Sequence, residues 1–423
     1  MEHIADQIKD YLKIEEVAKQ WNISPRRVQA LCAAGKIAGA IRFGRDWMIP
    51  QDAKRPTDGR TKAGRKEQED LKNTNLPLPR KTPFLHMTDL YSSSGSVEEA
   101  IEKLSGNRNA QMLFAAEIAY SRGDIDEVYD RAKVLLNDNS DLYTTLSAGM
   151  LMALCAIWRG DLTMWRRSKV FMAEAPAEND IDRDIITFSI TAVDSMLYDV
   201  ESFPEWFKIG CFEPLHKDSL PAAKVFYAKY LYATAYSVAT KQLQMDGLKG
   251  LTLMSVLPYS IEPMISQAMA DNSVIAEAYL RFTCATIYHH SGNNAQATRH
   301  IDRALELALP DKLYGLISEY CRVIGPLIEK RLNMISPEAY AEVKKLSKIY
   351  IQGWTKLSSR VLGKNLITTL SVREREVARM AAFGMQNNEI AEKLHMSLSG
   401  VKQAIRIVSE KSGVGRDEFA AIL

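Results

Sequence analysis

Polar side chains near the carboxyl end of the chain have the types and spacing needed to read DNA bases. Lys402, Gln403 and Arg406 fall on one side of a predicted helix whose other side is apolar. The apolar positions are Val401, Ile405 and Val408. Because Lys or Arg can bond a guanine edge and Gln an adenine edge, we expect the three polar residues in the major groove, with Ser399 and Asn387 as further DNA contacts. The alternative is that they only solvate an exposed helix face.

The elements before this helix would position it. Ser371 and Glu374 have the spacing of a capping box, which starts a first helix. A second short helix is predicted at about 387–394, and either Ser397 or Ser399 can cap the third. Two helices joined by a tight turn, the second carrying amide and cationic side chains, suit the major groove.

This segment resembles the LuxR-type (GerE/NarL-like) helix-turn-helix over about 55 residues. The family pattern corresponds here to Leu370–Glu374, Gly384–Ala391 and Gly400–Lys402. The resemblance implies four helices, with base-reading positions at Lys402, Gln403 and Arg406. The sequence departs from the family at three positions: Gly400, Ala404 and Ser412.

The fourth helix often forms the dimer contact in this family. Only residues 416–423 are available for it here, so a homodimer stays open.

A second helix-turn-helix pattern lies near the amino end. Ile14–Trp21 has the periodicity of a helix, Ser24 can cap the next one, and Pro25 suits its first position. The segments Ala40–Phe43 and Asp46–Ile49 can pair as a hairpin across Gly44 and Arg45.

This amino-terminal module resembles the MerR/excisionase-type winged helix-turn-helix over about 45 residues. The resemblance implies Arg26, Arg27 and Gln29 in the major groove, and Arg42 and Arg45 at phosphates or in the minor groove. The alternative is that the module docks on the rest of the protein, with its arginines as ordinary surface. Trp47 is assigned to the core rather than to base stacking.

The pattern between the two modules is helical throughout. Three segments place an aromatic residue before a Gly and then Asp or Asn, which is typical of a turn between helices. The glycines are Gly123, Gly160 and Gly292. The region resembles tetratricopeptide-like helical hairpin repeats, with an irregular helical bundle as the alternative.

The predicted fold is therefore mainly α. We expect a winged helix-turn-helix with a small β-hairpin in residues 1–52 and a basic flexible linker in 53–85. We expect α-helical repeats in 86–363 and a four-helix LuxR-type domain in 364–423.

Composition limits the classes of function. The net charge is +2, with basic excess at both ends and acidic excess in the middle, as expected if the ends face phosphates. The scattered cysteines indicate core residues in a reducing cytoplasm rather than disulfides or a metal site: Cys32, Cys155, Cys211, Cys284 and Cys321. The apolar stretch 147–158 is too short to span a bilayer, so we expect a cytoplasmic protein without a membrane partner.

Catalytic motifs are missing from the sequence. It contains no phosphate-binding Gly-rich loop, no nucleophile elbow and no HExxH pair. His289 and His290 are adjacent, so they cannot both face one metal from a helix. We expect no enzyme, no cofactor and no metal.

Together these patterns predict a bacterial DNA-binding transcription regulator. Its helical middle would bind a small-molecule or protein effector, or assemble subunits. The alternative is a helical scaffold that binds a partner protein, with only one end or neither end touching DNA.

Overall fold

The computed structural model describes residues 11–33, 37, 40–43, 46–51, 53, 55, 76–137, 141–246, 254–362, 370–412 and 415–421. The chain divides into two compact units, residues 1–74 and 75–423. The described part is mainly helical, which confirms the predicted fold class.

In the part of it that the structure describes, the first unit combines two helices with a small antiparallel sheet. Its elements are β1 (Tyr11–Lys13), α1 (Ile14–Trp21), α2 (Pro25–Ala33), β2 (Ile41–Phe43) and β3 (Asp46–Pro50). The predicted hairpin is present, with Ile41 opposite Met48. β1 also pairs with β3, placing Leu12 opposite Ile49. This third strand was not predicted, because three residues are too few to show a period of two.

Local capping explains where the two helices begin. The Glu16 carboxylate accepts a hydrogen bond from the backbone N–H of Lys13 at 2.8 Å. The Ser24 hydroxyl accepts one from the Arg27 N–H at 3.3 Å, as predicted. Val28 and Ile49 lie in the buried core of this unit, and Trp47 packs against that core half-buried.

Among its described residues, the second unit contains a long series of helices and three 3₁₀ turns. The turns are Leu85–Met87, Lys217–Ser219 and Arg416–Ala421. The helices are α3 (Val97–Lys103), α4 (Arg108–Arg122), α5 (Ile125–Asn137), α6 (Leu142–Arg159), α7 (Leu162–Ala173), α8 (Asp180–Ser195), α9 (Glu205–Lys208), α10 (Leu220–Asp246), α11 (Pro258–Ala270), α12 (Val274–His290), α13 (Asn294–Ala308), α14 (Tyr314–Ile335), α15 (Pro337–Leu362), α16 (Val372–Ala382), α17 (Asn387–Lys393) and α18 (Leu398–Ser412).

The predicted glycine turns between helices are present. Gly123, Gly160 and Gly292 have φ values of 96°, 61° and 84°, in the left-handed region that favours glycine. After Gly160, the Asp161 side chain accepts from the N–H groups of Thr163 and Met164, which starts α7. Each turn joins two helices that pack on each other: α4 on α5, α6 on α7, and α12 on α13.

The hairpin of α14 and α15 packs back onto helices from much earlier in the chain. α15 crosses α6 so closely that a Cβ on Gly353 would lie 2.1 Å from the Trp158 carbonyl oxygen. α14 packs against α4, where a Cβ on Gly315 would lie 2.5 Å from the Tyr120 carbonyl oxygen. In an open solenoid each repeat contacts only its neighbours, so this packing departs from a simple repeat array.

The described end of the predicted linker, residues 76–85, contributes to the core of the second unit. Leu78, Phe84 and Leu85 are buried there. The Glu117 carboxylate accepts from the backbone N–H groups of Leu85 and His86, at 3.0 and 2.8 Å. The core of the second unit therefore includes side chains from residues that composition had predicted to form a linker. The other boundaries of that linker stay a prediction.

One helix among the described residues is long and apolar enough to cross a membrane, Leu142–Arg159. Of its apolar stretch, 67% is buried inside the fold. Such burial is expected of a core helix of a large domain.

Candidate nucleic-acid interface

The carboxyl-terminal helices begin with a complete capping box. The Ser371 N–H donates to the Glu374 carboxylate at 2.7 Å, and the Glu374 N–H donates to the Ser371 hydroxyl at 3.1 Å. This reciprocal pair, predicted from the sequence, fixes the start of α16. The small core between α16, α17 and α18 contains buried apolar residues: Leu370, Val377, Ala378, Ala381, Ile390, Ala391, Val401, Ala404, Val408 and Phe419.

A tight turn joins α17 to α18. His395 adopts a positive φ of 50°, and the Ser397 hydroxyl accepts a hydrogen bond from the Gly400 N–H at 3.1 Å. Ser397 is thus the capping residue of the two serines considered, while Ser399 lies exposed in the first turn of the helix. The turn separates α18 from α17, and the two helices share the small core with α16.

Every predicted base-reading side chain on α18 is exposed. Lys402, Gln403 and Arg406 share the solvent face, opposite the buried Val401 and Val408. The Arg406 Nε atom lies 3.6 Å from a carboxylate oxygen of Glu410, with both side chains largely exposed. Such an exposed ion pair contributes little and can exchange for a base or phosphate contact.

Asn387 has a tertiary partner that the sequence did not predict. Its side-chain oxygen accepts from Arg416 Nη1 at 2.6 Å, and Arg416 Nη2 donates to the Met385 carbonyl at 2.5 Å. Arg416 therefore ties the last 3₁₀ turn to the start of α17. Residues 29 positions apart carry no local signal of such a contact.

The predicted DNA contacts of the first unit are partly described. Arg26, Arg27 and Gln29 are exposed on α2, on the side away from buried Val28. Arg42 lies in β2, and Arg45 lies outside the described residues.

The carboxyl-terminal helices contact the helical middle through α10. The Tyr236 hydroxyl donates to the Leu370 carbonyl, and Arg375 Nη2 donates to the Tyr236 hydroxyl at 3.3 Å. Burial raises the pKa of Tyr236, and the nearby Arg375 guanidinium opposes that rise. The phenol therefore stays neutral and keeps its proton for the Leu370 carbonyl.

A small cavity lies in the interior of the helical middle. The volume in it that water could occupy is about 50 Å³. Its walls include aromatic side chains and three ionisable ones: Tyr198, Lys229, Tyr232, Glu319, Tyr320, Arg322 and Tyr350. A neighbouring cavity, with room for about 40 Å³ of water, shares Met196 and Lys229 with it.

The ionisable groups of this cavity are held in place by buried contacts. Lys229 Nζ lies 3.8 Å from Glu319, whose other carboxylate oxygen accepts from the Tyr120 and Tyr279 hydroxyls at 2.6 and 3.3 Å. The Arg322 guanidinium stacks 3.9 Å from the Trp354 ring centroid. Burial lowers the pKa of Lys229, and the Glu319 carboxylate opposes that change. Burial raises the pKa of Glu319, opposed first by Lys229.

Metal-ligating atoms also come together in the described residues. Glu262, Cys284 and His300 each offer one such atom, and the three atoms lie within 4.8 Å of one another. The sequence had assigned Cys284 to the core, where it is fully buried.

Comparison with known families agrees with both terminal modules. Residues 368–421 match the family of bacterial regulatory proteins of the LuxR type. Residues 11–53 match a helix-turn-helix domain family. The chain thus carries a LuxR-type helix-turn-helix at its carboxyl end and a second helix-turn-helix domain at its amino end. Searches of curated proteins and of solved structures gave no match.

Proposed function

We propose that the chain is a bacterial transcription regulator, acting in the cytoplasm, whose α18 enters the major groove of double-stranded DNA. The observation that carries this proposal is the exposure of Lys402, Gln403 and Arg406 on one face of a helix whose other face is buried, within a LuxR-type domain. Cationic and amide side chains on such a face match the hydrogen-bonding edges of bases. Ser399 lies at the beginning of this helix, where a phosphate or base edge passes close.

The test begins with chromatin pull-down sequencing, which supplies the bound sites. Electrophoretic shifts on a recovered site then compare the wild type with Lys402→Ala/Gln403→Ala/Arg406→Ala. The matched control is Lys345→Ala/Lys348→Ala, which also removes two exposed positive charges, but from α15. We expect the first variant to lose specific binding and the control to retain it; equal binding by both variants would overturn the proposal.

We also propose that the amino-terminal module binds DNA, through Arg26, Arg27 and Gln29 on α2 and through Arg42 and Arg45 of the hairpin. The matching helix-turn-helix family and the exposure of the α2 side chains support this role. Two modules of modest affinity on one chain gain from effective concentration when both sites lie on one DNA molecule. Arg26→Ala/Arg27→Ala should then weaken binding to the recovered site, whereas unchanged binding would favour docking on the protein's own body.

The helical middle is proposed to sense a small-molecule effector in the cavity lined by Lys229, Glu319 and Arg322. Buried ionisable groups with shifted pKa values cluster at functional sites more often than in an ordinary core. Tyr232 lines this cavity, and its ring lies 5.9 Å from that of Tyr236, which contacts the helix-turn-helix through Leu370. A ligand that moves Tyr232 would therefore affect the DNA-binding domain through one intervening side chain, that of Tyr236.

A scaffold that binds a partner protein is the second candidate. Packing of α14 and α15 onto α4 and α6 does not favour it, because open arrays present the concave face that takes peptides. Unchanged gene regulation after loss of the α18 side chains and, separately, of Arg26 and Arg27 would support the scaffold.

A further inference from the structure

Three neighbouring helices bring a Glu, a Cys and a His to one point. Glu262 lies on α11, Cys284 on α12 and His300 on α13. Cys284 Sγ is 3.8 Å from His300 Nε2, which is 4.0 Å from Glu262 Oε1. Ligand atoms of a tetrahedral zinc ion lie roughly 3.3–3.7 Å apart, given bonds of about 2.0–2.3 Å. Small side-chain movements would bring all three atoms to that separation.

The contacts and burial of His300 and Cys284 favour metal binding over ordinary hydrogen bonding. The two contacts of His300 Nε2 are both longer than the roughly 2.7–3.2 Å of an ordinary N–H···O bond. His300 is 8% exposed and Cys284 is fully buried, so water competes little at either atom. An ion between them would give the imidazole nitrogen a close partner.

Tyr288 contacts the side chains of both Glu262 and His300 and holds them in position. Its hydroxyl donates to Glu262 Oε1 at 2.6 Å, and its ring stacks on His300 with centroids 5.5 Å apart. Hydrogen bonds that orient metal-binding carboxylates are a regular part of metal sites. The Glu262 side chain is 45% exposed and borders a surface cleft beside Tyr259, which gives an ion a path from solvent.

We propose that Glu262, Cys284 and His300 bind one Zn²⁺ ion, with water in the fourth position. A thiolate, an imidazole and a carboxylate together suit zinc better than calcium or magnesium, which prefer all-oxygen sites. Binding forms a Zn–S bond and releases the Cys284 thiol proton to solvent. Because only three ligands come from the protein, the fourth position stays open to water, and the ion links α11, α12 and α13.

The sequence did not predict this site because its ligands are 22 and 16 residues apart on separate helices. Such spacing has no counterpart among short metal motifs. The site is independent of the proposed DNA contacts, so its failure would leave the regulator proposal intact.

The test titrates the full chain, stripped of metal by chelation, with Co²⁺ as a spectroscopic substitute and then with Zn²⁺. We expect one equivalent of Co²⁺ to give thiolate-to-cobalt charge-transfer absorption, which Zn²⁺ displaces. Cys284→Ser should abolish this absorption, and His300→Gln should weaken binding about tenfold or more. Cys321→Ser is the matched control, because it removes another buried thiol on α14 and should leave the titration unchanged.

If Cys284→Ser does not fold, as judged by circular dichroism, Glu262→Gln replaces it. Its half-exposed side chain can change with little effect on the core, and we expect weaker Co²⁺ binding. No charge-transfer absorption in the wild type, or equal absorption in a folded Cys284→Ser or equal affinity in Glu262→Gln, would overturn the proposal.

Discussion

Tyr236 and Arg375 join the helical middle to the LuxR-type domain. Arg375 Nη2 donates to the Tyr236 hydroxyl at 3.3 Å, and that hydroxyl donates in turn to the Leu370 carbonyl. The phenol therefore serves as acceptor for α16 and as donor to the residue immediately before its capping box. Because Leu370 and Tyr236 are both buried, this contact restrains the start of the DNA-binding domain.

Tyr236→Phe should loosen α16. The substitution removes the donor to the Leu370 carbonyl, and a buried acceptor left without its partner costs about 1–3 kcal/mol. Hydrogen exchange of the amides in α16 should become about tenfold faster or more, while exchange in α12 changes little. Tyr320→Phe is the control, because its hydroxyl bonds within the middle, to the Tyr279 carbonyl at 3.1 Å. Equal exchange of α16 in the wild type and Tyr236→Phe would contradict this account.

Gly353→Ala should destabilise the helical middle. The new Cβ would lie 2.1 Å from the Trp158 carbonyl oxygen, so α15 would have to move away from α6. Overpacking of this kind costs about 1–3 kcal/mol or more, measured as the free energy of unfolding in urea. Gln352→Ala, at an exposed position of the same helix, should change stability by less than about 0.5 kcal/mol. Wild-type stability in Gly353→Ala would show that the two helices are not packed as described.

The sequence predicted those structural features that depend only on residues close together in the chain. The Ser371–Glu374 capping box and the left-handed turn at Gly160 are local signals, and both are present. The hydrogen bond between Tyr236 and Leu370 joins residues 134 positions apart, which no short pattern encodes. The contact between Cys284 and His300 was not predicted either, because it forms only when α12 and α13 pack together.

The stability of the helical middle should depend on pH through Glu319. Burial raises the pKa of this carboxyl above its ordinary value, so the folded chain holds the proton more tightly than the unfolded chain. The contribution of this group to the free energy of unfolding is therefore fully present below its ordinary pKa of about 4.3. It is lost as pH rises through the raised pKa of the folded chain. The groups that face it are Lys229, Tyr120 and Tyr279.

Glu319→Gln removes this titration while keeping an acceptor for the Tyr120 hydroxyl. Urea unfolding at a series of pH values from about 4.3 upward should show the wild type losing stability relative to the variant as pH rises. Exposed Glu342→Gln should show no such relative change. A constant difference between the wild type and Glu319→Gln across the series would mean that this carboxyl has the same pKa in the folded and unfolded chains.

The salt dependence of DNA binding should separate the roles of Lys402 and Gln403. Both side chains are exposed on α18, yet only Lys402 carries a charge that releases counterions from phosphates. Lys402→Ala should lower the slope of log Kd against log salt by about one, because it removes one positive charge from the interface with DNA. Gln403→Ala should keep the slope and lose about 1–3 kcal/mol of preference for one base pair. Lys345→Ala on α15 is the charge control, and fluorescence anisotropy on the recovered site and on single-base variants measures both quantities. A changed slope in Gln403→Ala, or an unchanged base preference, would mean that the α18 face does not lie in the groove as proposed.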